Sequence, residues 1–345
     1  MSKVLVTGGC GFLGAHVCRH YAEEGWEVVA YDNLTKFELS RTRYSVDGAR
    51  NFVLKELRKV GVEVTLGDIT DSARLKSAAG GCNYIVHCAA QPSMTISIEE
   101  PTKDFSTNLF GTFCVLEVAW HKDIPVAICS TIHVYGNGIN SQLRENESRF
   151  VNQDEDINED APLLTGTLTP LHASKFSSEV YTRAYIDTYK LNAAILRLTG
   201  IYGPWQFGGE DHGWVANFAI KTILGKPITI FGTDKQVRDI LYVEDAVRAF
   251  DSWYNSGKPG IYNIGGGPKT SISLKECLEL LKDITGKVQL IHLGEERLGD
   301  LHYFVCDITK AKNTFGWEPT VMPKEGLSNL VSWVKENENL FEEVK

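Results

Sequence analysis

The sequence predicts an α/β fold: a doubly wound parallel sheet followed by a smaller α/β lobe. Three observations carry this. Apolar, β-branched runs alternate with helical stretches, from KVLVTGG, AHVCRHYAEE and EVVAYDN through VEVTLGD, NYIVHCAA, PVAICST and AAILRLTGIYG. Such alternation builds parallel sheets covered by helices on both faces. The strand runs are apolar almost without the two-residue alternation of a half-exposed strand, as burial on both faces requires. Finally, the first strand passes into the first helix through a glycine-rich turn, TGGCGFLG.

Each element follows in order. The run VLV reads as a strand, residues 7–14 as the turn, and AHVCRHYAEE as the helix behind it. The second strand ends at Asp32, the third at the GDITD segment, and the fourth at HCAA. A long helical stretch, DFSTNLFGTFCVLEVAWH, leads to PVAICST, and the helix SKFSSEVYTRAYIDTYK precedes AAILRLTGIYG. Residues 137–168 are polar, acidic and without periodicity, which predicts an insertion or lid, since long structureless loops in compact domains are functional or disordered. After about residue 204 the pattern changes to helices joined by turns, with short strands at PITIFG, GIYNIGG and VQLIHL. The expectation is a first lobe over 1–203 and a second over 204–345, with the chain exchanging between them.

The chain has 345 residues, 43% apolar and 23% charged, enough for a large core. A net charge of −9 argues against nucleic acid or an anionic membrane as partner. No apolar run approaches the ~18 residues of a membrane span, and the N-terminus runs straight into a strand, so a cytoplasmic protein is expected. The eight cysteines show no CxxC pair or metal spacing, which predicts buried thiols, no disulfide and no metal.

The glycine turn fits a dinucleotide. Gly8, Gly11 and Gly14, with Phe12 and Leu13 between them, let the backbone approach a pyrophosphate while the helix N-terminus supplies free N–H groups. Asp32 ends the second strand eighteen residues after Gly14, where a carboxylate accepts ribose hydroxyls. Asn33 follows it and no arginine is adjacent, so NAD is predicted rather than NADP, whose 2′-phosphate Asp32 would repel.

With TGGCGFLG, GDITD, HCAAQ, STNLFGT, STIHVYG, RLTGIYGP, QVRDILYVED and RLGDLHYFVCDITKA in order, the chain resembles the extended short-chain dehydrogenase/reductases of the NAD-dependent epimerase/dehydratase family over nearly its whole length. That resemblance implies a Rossmann-type fold and places Asp68 and Ile69 at the adenine, Ala89, Ala90 and Gln91 along the cofactor, Asn108 as a brace of the central helix, and Lys175 on the nicotinamide ribose. It implies a nucleotide-sugar substrate, with Arg238 and Arg297 on the diphosphate, Asn217 and the strand PITIF at the base, and Gln206, Phe207 and Trp214 at the sugar. Guanidinium suits a diphosphate because its planar fork bonds two oxygens at once; the plainer alternative is an ion pair with Asp300 or Glu244. Trp205 and Trp214 fit a core equally well. The stretches AAQPSMTISIEEP, WQFGGEDHGWVANF and GTDKQVRDILYVEDA resemble most the members that epimerise position 2 of CDP-linked dideoxyhexoses, which favours a CDP-sugar; position 4 of a UDP-hexose is the alternative. The family also implies a homodimer, paired through the helices over 105–121 and 174–189.

One position departs from the pattern. Where the family carries P-Y-x-x-S-K, this chain reads P-L-H-A-S-K, so Leu171 stands in place of the catalytic tyrosine, four residues before Lys175. Leucine has no proton to transfer. Thr131, which in the family contacts the reacting hydroxyl, is retained. His133 is the first candidate substitute, since residues two apart on a strand share a face and imidazole titrates near neutrality. His172 and a desolvated Lys175 are the others. T-I-H in place of the family's T-D-E acid pair argues against a 4,6-dehydratase. A protein that binds without catalysis, or a leucine introduced by engineering, remains open at this level.

Overall fold

The computed structural model describes residues 1–36, 39, 42–152 and 156–342. Strands β1 (Lys3–Thr7), β2 (Glu27–Asp32), β3 (Glu63–Leu66), β4 (Tyr84–His87) and β5 (Val126–Thr131) join strands Ala193–Leu198 and Gly260–Ile264 in a seven-stranded sheet. Every pairing is parallel, and the order is Gly260–Ile264, Ala193–Leu198, β5, β4, β1, β2, β3. Alternate residues of one strand serve different cores: Val4 and Val6 belong to the larger apolar cluster on one face, Leu5 to the cluster on the other. This is why the strands carry no polar face.

Helix α1 (Phe12–Glu23) begins directly after the glycine turn. Strand order reverses between β4 and β1, and ligands bind such sheets in the crevice outside the carboxyl ends of the strands at that switch. A second, smaller sheet, with Gly200, Ile201 and Arg238 on it, contributes to the wall of this crevice. It pairs Val237–Tyr242 with Ser271–Ser273, Tyr303–Phe304 and Gly200–Tyr202, the last of which lies before the expected boundary at residue 204. The run AAILRLTGIYG is therefore two strands in two sheets: the chain leaves the first at Leu198 and enters the second at Gly200. GIYNIGG makes the return trip, adding Gly260–Ile264 at the edge of the first sheet.

The helical stretch after residue 104 is not uniform. Phe105–Phe110 is π-helical and gives way to an α-helix at Gly111–Lys122. The carbonyl of Asn108 is taken by Thr112 Oγ1 (2.6 Å) and Ser178 Oγ (2.7 Å), side chains that compete with the regular helix ladder. The acidic insertion is docked rather than free: Phe150 N–H bonds Lys235 O, Ile157 N–H bonds Val305 O, and the Phe150 ring stacks on His302. Residues 153–155 of it lie outside the described residues. Among the described residues no helix is long and apolar enough to cross a membrane.

Candidate active site

The glycine turn is built for close approach. Gly8 has φ +66°, and a Cβ there would stand 2.6 Å from Ala89 N. A Cβ on Gly14 would stand 2.1 Å from Gly8 O, so α1 can seat against the turn only without one. At the end of β2, Asp32 accepts from Cys10 N–H (2.9 Å) and Leu34 N–H (2.7 Å), which aims the carboxylate back toward the turn. Asn33 Nδ2 donates to Asp68 Oδ2 at 2.8 Å, tying together the two chain segments expected at the adenine.

A cavity of about 720 Å³ starts here and runs along the strand ends. Gly8, Gly11, Phe12, Leu13, Asp32, Asn33, Asp68, Ile69, Ala89, Ala90 and Gln91 all line it. Gly14 does not, being under the turn, and neither does Asn108, which is 1% exposed. Asn108 acts on the wall instead: its amide bonds Gln91 N–H (2.8 Å), Gln91 O (3.0 Å) and Asp104 Oδ1 (2.8 Å). This clamp fixes the 89–91 segment against the π-helical turn. Asp104 went unnoticed in the sequence, where no spacing marks it. Burial raises its pKa, partly offset by the hydrogen bonds it accepts.

Further along, Thr131 and His133 line the cavity together, though not for the strand-spacing reason. Strand β5 stops at Thr131, whose hydroxyl accepts the His133 backbone N–H (3.2 Å) and starts a 3-10 turn over Ile132–Tyr135. Burial, with His172 and Arg238 nearby, pushes the His133 imidazole down to about 3, so it is neutral. Its Nδ1 is buried and has no hydrogen-bond partner among the described residues. His172 faces it edge-on, ring centroids 5.6 Å apart, and accepts Thr169 N–H on Nδ1 at 3.1 Å; the network therefore assigns its proton to Nε2. Leu171 is buried, at 3% exposure, and Lys175 is buried with Nζ donating to Cys129 O (3.0 Å). None of Leu171, His172 and Lys175 lines the cavity. Burial lowers the pKa of Lys175.

At the far end Arg238 and Arg297 line the cavity with Gln206, Phe207, Trp205 and Trp214. Arg238 pairs with Asp300 (3.3 Å); Arg297 pairs with Asp211 (3.4 Å) and stacks on Phe231, 3.8 Å from the ring centroid. Trp205 is mostly core, its ring tilted 34° against His16 with centroids 4.8 Å apart. Asn217 does not reach the cavity: it is 2% exposed on helix Trp214–Leu224, with Oδ1 unpartnered among the described residues. Its side chain therefore sits apart from the base site expected for it.

Comparison with known proteins agrees with this geometry. Residues 4–265 match the model of the NAD dependent epimerase/dehydratase family. The chain is 32% identical to CDP-paratose 2-epimerase of Salmonella typhi over 96% of its length and 98% of the relative's. Among solved structures, UDP-glucose 4-epimerase of Thermus thermophilus in complex with NAD matches with a TM-score of 0.80 at 29% identity, covering 97% of this chain and 99% of that one. UDP-glucuronic acid 4-epimerase from Bacillus cereus, in complex with UDP-glucuronic acid and NAD, matches with a TM-score of 0.82 at 25% identity and the same coverage. NAD is thus the cofactor that the Gly8 and Gly14 cradle and the Asp32 carboxylate fit. The chain belongs to the NAD-dependent epimerase/dehydratase family.

Proposed function

We propose that the chain is a nucleotide-sugar epimerase of the CDP-paratose 2-epimerase kind, acting through a transient keto-sugar. The observation that carries this is one continuous cavity joining the dinucleotide turn, the Thr131–His133 corner and the Arg238–Arg297 pair. A ligand with a diphosphate between base and sugar fits the two guanidiniums, and its sugar then reaches Thr131. A 32% identical CDP-paratose 2-epimerase supports the CDP-sugar assignment. UDP-glucose 4-epimerase activity is the alternative, supported by the match to that enzyme's structure.

NAD, which Gly8, Gly11 and Asp32 would hold, would supply reversible hydride acceptance at a ring carbon of the sugar. The protein must take the proton of that carbon's hydroxyl and give it back. Leu171, at the position where the family carries tyrosine, cannot. His133 lines the cavity and is neutral, and its buried Nδ1 has no competing donor among the described residues, so it is the group assigned to accept the proton once the ring turns toward the ligand. A diphosphate on Arg238 offsets one of the charges that depress its basicity. Thr131 orients the hydroxyl, and the family pattern assigns the nicotinamide ribose to Lys175, which must turn its Nζ from Cys129 O to reach it. A second reading, binding without turnover, is favoured by one observation: in the unliganded protein His133 is pushed to about 3, low for a base at neutral pH.

Rates separate them. Against a panel of CDP-, UDP-, GDP- and dTDP-sugars, the unmodified chain should turn over a CDP-sugar, and His133→Gln should lower kcat at least ~100-fold with little change in KM. Full activity in His133→Gln removes His133 from the mechanism. No turnover by the unmodified chain, with turnover restored by Leu171→Tyr, confines the defect to position 171; none by either, with ligand bound, establishes the binder. We also propose a homodimer across the exposed Phe105, Phe110, Val180 and Tyr181; sedimentation at the monomer mass would contradict it.

A further inference from the structure

The part of the cavity around Arg238 and Arg297 is rich in carboxylates. Glu99, Glu210, Asp211 and Asp300 line it, against two guanidiniums, Arg238 and Arg297. Both cations are already matched, Arg238 by Asp300 at 3.3 Å and Arg297 by Asp211 at 3.4 Å. Glu210 is held by Lys221 at 2.7 Å and by Thr229 Oγ1 at 2.9 Å. Asp211 has the most telling position. Its Oδ1 accepts Thr95 Oγ1 at 3.1 Å as well as Arg297, so one carboxylate joins helix Met94–Glu99 of the first lobe to the arginine of the second. Its side chain is 12% exposed, which leaves water little room to screen it.

We infer that Asp211 makes this site selective for nucleotide sugars whose sugar is uncharged, excluding those with a sugar carboxylate. The inference rests on the nucleotide-sugar reading above. A diphosphate uses the charge of Arg238 and Arg297. Among the described cavity residues the remaining lysine is Lys36, whose Nζ donates to Cys10 O beside the dinucleotide turn, far along the cavity from Asp211. A uronate carboxyl therefore meets the carboxylates of Asp211 and Glu210 with no basic side chain left to pair it, and like charges in a partly dehydrated cavity are discriminated strongly. Neutral sugar hydroxyls, by contrast, donate to the same oxygens.

The test is calorimetric titration of the NAD-loaded chain and of Asp211→Asn at pH 8. The ligands are UDP, CDP, and a glucose/glucuronate pair on whichever base binds. The expected result is that the uronate binds at least ~30-fold more weakly than the neutral sugar. In Asp211→Asn, where Arg297 is released to the diphosphate, both should gain and the gap should narrow by about tenfold, or 1.4 kcal/mol. Equal affinities in the unmodified chain overturn the inference without need of the variant. So does an unchanged ratio in a folded Asp211→Asn protein. If neither UDP nor CDP binds, the nucleotide-sugar reading itself fails, and this inference with it.

Discussion

Arg197→Met should cost more stability than any surface substitution and should disturb the site as well. Arg197 and Glu179 form an ion pair at 2.8 Å with side-chain exposures of 1% and 3%. Glu179 also accepts Ser130 Oγ at 2.5 Å; Arg197 donates to Tyr135 OH at 2.9 Å, and Tyr135 to Asn263 Oδ1 at 2.7 Å. Removing the guanidinium leaves a buried carboxylate unpaired, a loss of about 3–5 kcal/mol. With an unfolding entropy of about 2.1 cal/mol/K per residue, 345 residues give ~0.7 kcal/mol/K, so the melting temperature should fall by roughly 4–7 °C. Tyr135 closes the turn that carries His133, so turnover should fall in the same variant. Calorimetry with a denaturant series measures the first effect. The double variant Arg197→Met/Glu179→Leu should recover at least half the loss, because no charge is stranded. A single variant that loses less than about 1 kcal/mol would refute the reasoning.

Other outcomes follow from the same geometry. Gly14→Ala should weaken NAD binding at least ~100-fold, since its Cβ would stand 2.1 Å from Gly8 O and the turn must open; titration within a few-fold of the unmodified protein would contradict this. Arg238→Met should weaken CDP or UDP binding by about 100-fold while NAD affinity, measured in parallel, stays within a few-fold. Burial raises Asp239 to about 7, against ~3.9 in the unfolded chain. Its contribution to stability is therefore complete below about pH 4 and is lost as pH rises through 7. Asp239→Asn should then melt higher than the unmodified protein at pH 8, by the equivalent of about 4 kcal/mol, with the gap closing by about pH 4.5; a pH-independent difference would refute it.

The sheet was legible because burial on both faces leaves continuous apolar runs, as Val4, Leu5 and Val6 illustrate with their two separate cores. The cofactor end was legible for a related reason: glycine and a strand-end acid are backbone-level requirements, visible at fixed spacing. Other features depended on contacts between distant segments. Nothing local marks Gly260–Ile264 as an edge strand of the first sheet, or tells that AAILRLTGIYG divides at Leu198 and Gly200. His133 reached the cavity through a 3-10 turn capped by the Thr131 hydroxyl, so the strand argument arrived at the right side chain by the wrong geometry. The tie from Asp211 to Thr95 spans 116 positions, and periodicity cannot show it.

The central claim is catalysis by a chain that lacks a tyrosine at position 171. Its most direct test is proton NMR of the unmodified, NAD-loaded protein with CDP-linked dideoxyhexoses in deuterated water. The account predicts interconversion of the epimers at position 2 without solvent deuterium at that carbon, because the hydride is returned rather than exchanged. No interconversion of any nucleotide sugar, with NAD and nucleoside diphosphates both bound, would contradict it.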